Sequence, residues 1–113
     1  MEHEDRVYQV IIDPAANDRM FDHFEFLSRV SVPAANRLLD ELLSDIRSLK
    51  ASPYQNPEFI RPYLPQGKYR YKLSGKRYRI VYQIDRDFVF VDDIQDCRQD
   101  EDKSLLVPFI DSL

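Results

Sequence analysis

Apolar positions along the chain change period, and each change marks a boundary between elements. Val7-Tyr8-Gln9-Val10-Ile11-Ile12 is β-branched and aromatic, bounded by charge before it and by Asp13-Pro14 after it, and predicts a mostly buried strand. Asp13 then suits an N-cap, with Pro14 at the first helical position. From there Ala16, Met20, Phe24 and Leu27 recur at helical spacing, with Asp18, Arg19, Asp22 and Glu25 toward solvent, which predicts a helix ending near Val30. Ser31 and Pro33 open a second helix, whose apolar stripe is Ala35, Leu38, Leu39, Leu42, Ile46 and Leu49. Helices this close in sequence form an antiparallel hairpin.

The pattern stops between Ser52 and Gly67, where Pro53, Pro57, Pro62 and Pro65 punctuate what reads as a long surface loop. A period of two follows. Tyr69, Tyr71 and Leu73 alternate with Lys68, Arg70 and Lys72; Ser74-Gly75-Lys76 turns the chain; Tyr78, Ile80, Tyr82 and Ile84 alternate with Arg77, Arg79, Val81 and Gln83. Asp85-Arg86-Asp87 is a further turn, and Phe88-Val89-Phe90-Val91 begins a strand reaching about Ile94. The order is β-α-α-β-β-β. Short turns make the last strands an antiparallel meander, and the helix pair must cover one face of it, giving a two-layer α+β domain over residues 1–113. The tail from Ser104 to Leu113 is apolar but holds Pro108, and suits packing on the body, covering a sheet edge or serving a partner.

Charge adds a feature that periodicity does not show. The formal net charge is −4, from 16 basic and 20 acidic residues, which argues against a protein that coats nucleic acid. Seven of the basic residues (Arg61, Lys68, Arg70, Lys72, Lys76, Arg77 and Arg79) fall in one span without Asp or Glu. The remainder is therefore strongly acidic. A two-residue Gly75-Lys76 turn would pair Ser74 with Arg77, Lys72 with Arg79, and Arg70 with Val81. Arg70, Lys72, Arg77 and Arg79 would then share one face, with Tyr69, Tyr71, Leu73, Tyr78, Ile80 and Tyr82 on the other. Like charges directly opposite in a ladder repel, so such a face is either a solvated strand surface that guards against aggregation or the seat of a polyanion. Asp92, Asp93, Asp96, Asp100, Glu101 and Asp102 follow and would neutralise part of it.

Several classes of chemistry are disfavoured. Cys97 is the single cysteine, so no internal disulfide forms, and His3 and His23 are the only histidines, so no zinc spacing exists. The acidic run lacks the EF-hand pattern. Neither a metal nor another cofactor is expected. Met1-Glu2-His3-Glu4-Asp5 has no apolar signal core, and no run approaches a membrane span, which places the chain in a reducing cytoplasm. Cys97 reads as a small buried residue, and His23 as a residue of a helix surface or packing boundary.

The element order, Tyr69-Arg70-Tyr71-Lys72-Leu73, the Gly75 turn, Tyr78-Arg79-Ile80-Val81-Tyr82 and the Ile-Gln-Asp-Cys-Arg stretch from Ile94 to Arg98 resemble the RelE/ParE superfamily of bacterial toxin-antitoxin toxins. The resemblance implies a RelE-like fold, a cognate antitoxin as partner, and a growth-arresting, plasmid-stabilising toxin. For RelE-type members it implies a ribosome-dependent messenger-RNA endoribonuclease, in which the ribose 2′-hydroxyl attacks the adjacent phosphorus. Carried over by position, the catalytic cations are Arg70, Lys72, Arg79 and Arg98, with Lys68, Lys76 and Arg77 as further phosphate and RNA contacts. Arg70 and Arg79 suit bidentate phosphate binding; Lys72 beside Arg79, or Asp96, suits proton transfer. The usual C-terminal tyrosine or histidine has no equivalent, since Lys103-Ser104-Leu105 occupies that neighbourhood. ParE-type members instead imply inhibition of DNA gyrase without cleavage, and a degenerate member would retain antitoxin binding alone.

Overall fold

The computed structural model describes residues 6–99 and Leu106. Strand β1 (Gln9–Ile12) leads into helices α1 (Pro14–Ser28) and α2 (Val32–Ser48), a short 3-10 turn at Pro53–Gln55, and strands β2 (Tyr69–Ser74), β3 (Tyr78–Asp85) and β4 (Phe88–Asp96). The helix starts follow from their caps. The Asp13 carboxylate accepts from Ala15 N–H at 3.0 Å, and Ser31 Oγ accepts from Ala34 N–H at 3.2 Å, each satisfying an amide that has no helical partner.

The sheet order is β1-β4-β3-β2. β1 lies parallel to β4, while β2, β3 and β4 form the expected antiparallel meander. The chain leaves β1, crosses one face as α1 and α2, enters the sheet at its far edge and returns to β1's side. This closes the core between the layers: Met20, Leu42, Ile46 and Leu49 from the helices meet Tyr78, Ile80, Tyr82, Val89, Val91 and Ile94. The α+β arrangement matches the order read from the sequence.

The stretch between Ser52 and Gly67 differs from a surface loop. It returns over the opposite face of the sheet, where Phe59 and Leu64 pack with Tyr69, Val81 and Leu106 in a second core. Phe59 N–H donates to Tyr69 O at 2.8 Å and Tyr71 N–H to Pro57 O at 3.0 Å, so the segment also covers the outer edge of β2. The prolines end helical structure here without preventing burial: Pro53 is itself buried.

The second core changes the hairpin register. Gly75 and Lys76 do turn the chain, with φ of 59° and 64°, and Arg77 N–H donates to Ser74 O at 3.3 Å. Arg77, however, is an extra residue whose carbonyl accepts from Cys97 N–H at 2.7 Å, so Ser74 pairs with Tyr78, Leu73 with Arg79, Lys72 with Ile80 and Arg70 with Tyr82. A one-residue slip sends one strand's side chains to the other face. Tyr69 and Tyr71 thereby reach the second core, while Tyr78, Ile80 and Tyr82 keep the first. The expected pairing of Lys72 with Arg79, and the single face holding Arg70, Lys72, Arg77 and Arg79, are both corrected by this register.

Candidate functional site

Arg70 and Lys72 project from β2 toward the helix layer. Arg70 Nη1 donates to Asn56 O at 2.7 Å and Tyr54 O at 3.4 Å, and its guanidinium lies 5.2 Å from the Tyr54 ring centroid. These bonds pin the segment that leaves α2, where Tyr82 Oη also donates to Pro53 O and accepts from Asn56 Nδ2 at 3.0 Å. Lys72 Nζ donates to Ser48 Oγ at 2.8 Å and sits 3.6 Å from Asp45, tying β2 to the last turn of α2. Both cations are half-buried and serve the join between helix and sheet.

Arg79 points to the opposite face. Its Nε and Nη2 donate to Gln95 Oε1 at 3.2 and 3.0 Å, and Gln95 Nε2 donates to Asp93 Oδ2 at 3.0 Å. Asp93, 0% exposed, also accepts from Ile94 N–H at 2.8 Å and has Arg19 Nη1 at 3.7 Å. A buried carboxylate needs this many donors, because desolvation without them costs several kcal/mol. Arg79 and Arg61 both lie against Phe59, at 5.4 and 4.3 Å from its centroid.

The remaining candidates gather elsewhere. Arg98 chelates Asp96, with Nε 3.2 Å from Oδ1 and Nη2 3.1 Å from Oδ2, and Arg77 Nη2 approaches the same carboxylate at 3.7 Å. Arg77 Nε is buried and has no hydrogen-bond partner among the described residues. Lys68 lies over the Tyr69 ring at 5.3 Å, and Lys76 is exposed at the turn. The cations thus divide into the helix-side pair Arg70 and Lys72, the far-face Arg79, and the Asp96 group of Arg77 and Arg98. No single phosphate can touch the first two sets, because the sheet lies between them.

Two features lay outside the sequence reading, the Asp92 bulge and the exposure of Cys97, while His23 takes the packing-boundary place expected of it. Asp92 is a bulge residue opposite the Val81/Tyr82 step, and it lets Asp93 enter the interior. Burial pushes the Asp92 carboxyl above its ordinary range, with the Gln83 amide at 2.6 Å opposing the shift. His23 is buried, with Nε2 2.8 Å from Ile94 O and its ring 5.0 Å from that of Tyr78, so it joins α1 to the end of β4. Cys97 is exposed, contrary to expectation. Asp92-Asp93-Ile94-Gln95-Asp96 does not alternate, and a bulge leaves no periodic trace. The acidic stretch Asp100 to Asp102 and the tail, Leu106 excepted, lie outside the described residues.

A family model described as "ParE toxin of type II toxin-antitoxin system, parDE" matches residues 10–101, the span from β1 to beyond Arg98. The chain belongs to the ParE toxin family. No curated protein matches it. Every candidate cation falls within the matched ParE region, and membership implies a cognate antitoxin as partner. No described helix is long and apolar enough to cross a membrane.

Proposed function

We propose that this toxin arrests growth by binding DNA gyrase, as the ParE-type reading implies, and that messenger-RNA cleavage is not its activity. The division of the cations supports this most directly. Transesterification of RNA needs a base, an acid and cations around one phosphorus, whereas Arg70 binds the 54–56 segment, Lys72 the last turn of α2, and Arg79 lies across the sheet. The missing C-terminal tyrosine or histidine agrees with it. The proposal assigns Arg70 and Lys72 to shape, and leaves Arg79, Arg98, Lys68, Lys76 and Arg77 available for contacts with a protein partner. Inducible expression without antitoxin, with transcripts and plasmid DNA followed in parallel, tests it. The expected outcome is growth arrest with cleaved, gyrase-trapped DNA and intact messenger RNA; codon-phased messenger-RNA cuts with normal supercoiling would overturn it.

A further inference from the structure

Between the start of β1 and the turn after α2 lies a cavity of about 540 Å³, lined by Arg6, Tyr8, Ser52, Pro53, Tyr54 and Gln55 together with Ala51. Its walls are aromatic and cationic. The Arg6 guanidinium is 5.0 Å from the Tyr8 centroid, the Tyr8 and Tyr54 rings meet edge to face at 6.3 Å, and Arg70 lies 5.2 Å from the Tyr54 centroid. Two guanidiniums therefore bracket two tyrosines. Tyr8 is buried and fixed, its N–H donating to Lys50 O at 2.8 Å, while Tyr54 is 59% exposed. None of the described lining residues is acidic, in a chain whose net charge is −4.

We propose that this cavity binds a nucleotide, with the base on the exposed Tyr54 ring, the buried Tyr8 supporting that ring edge to face, and the phosphate at Arg6. The aromatic walls accept any base, since every base presents a π face. Gln55 and Ser52 carry the side-chain donors and acceptors that a base edge requires. Arg6 now binds Asp87 at 2.6 Å and Arg86 O at 3.0 Å. Both members of that ion pair are exposed, so it is weak, and a phosphate accepting from the guanidinium can replace the carboxylate. A peptide anchor fits less well, because the walls offer few aliphatic contacts. The ligand chemistry, a base carrying phosphate, is common to free nucleotides and to single-stranded nucleic acid. The inference does not depend on the gyrase reading.

Nitrogen-15 NMR titration of the full chain with uridine and adenosine monophosphates, inorganic phosphate, and short oligo(U) and oligo(dT) tests it. Saturable shifts confined to Tyr8, the 51–55 turn and the Arg6 neighbourhood are expected. Loss of stacking makes Tyr54→Ala weaken binding about tenfold, Tyr54→Phe preserve it, and Arg6→Ala reduce its salt dependence. Oligonucleotides binding more tightly than monophosphates identify a strand as the source; equal binding identifies a free nucleotide. Absent shifts, identical shifts with inorganic phosphate alone, or full binding by folded Tyr54→Ala would overturn the proposal.

Discussion

Arg70 shows how a charged side chain on an otherwise nucleic-acid-like strand serves packing. Its charge-assisted bonds to the Asn56 and Tyr54 carbonyls satisfy backbone groups of a segment that has no regular partner. Arg70→Ala is therefore expected to cost about 2 kcal/mol of unfolding free energy, whereas Arg98→Ala, 59% exposed at its side chain, should cost under about 1 kcal/mol. Urea titration of both variants checks this, and equal stability would show that Arg70 is free for other work. Asp92 gives a pH-dependent counterpart. Its folded pKa is raised by burial, so its stabilising contribution is complete below the unfolded value and is lost as pH rises through the folded one. Asp92→Asn should thus be more stable than the parent at neutral pH, and the difference should close below about pH 4. Thermal melts across that range measure it; a pH-independent difference would assign the effect to the Gln83 contact instead.

At the scale of elements, the β2–β3 hairpin carries the main correction. Leu73 opposite Arg79 is a pair outside the ladder's hydrogen bonds, since the Tyr69 carbonyl and the Tyr71 amide face outward to Phe59 and Pro57. In a Cys97→Ser background, Leu73→Cys with Arg79→Cys should oxidise readily to a disulfide, while Lys72→Cys with Arg79→Cys should not; the reverse would restore a shared cationic face. The helices were legible because Asp13-Pro14 and Ser31 are caps with a local mechanism and the apolar stripes repeat over several turns. Strand existence was legible for the same reason. Register was not, because period two fixes parity within each strand, and what covers each face fixes parity between strands. Here Phe59 and Leu64, in a proline-broken stretch without period, supply the second cover. The expected shared face of Arg70, Lys72, Arg77 and Arg79 was lost with the register, since the strand cations were identifiable but their common face depended on that one step.

For the whole molecule, the charge pattern takes a different meaning once folded. The basic span is distributed over both faces of the sheet, and its members meet acids or carbonyls from elsewhere: Lys72 with Asp45, Arg77 with Asp96, Arg70 with Asn56. Cations divided in this way among the described residues form no single concentrated patch for a polyanion, which agrees with the proposal that a protein is the target. The toxin family implies an antitoxin as one such partner, and gyrase is the proposed target. The most direct measurement is DNA supercoiling by purified gyrase with the purified full-length toxin added, alongside a ribosome-programmed messenger-RNA cleavage reaction. Inhibited supercoiling with uncut messenger RNA is the predicted result; unimpaired supercoiling with cut messenger RNA would contradict the account.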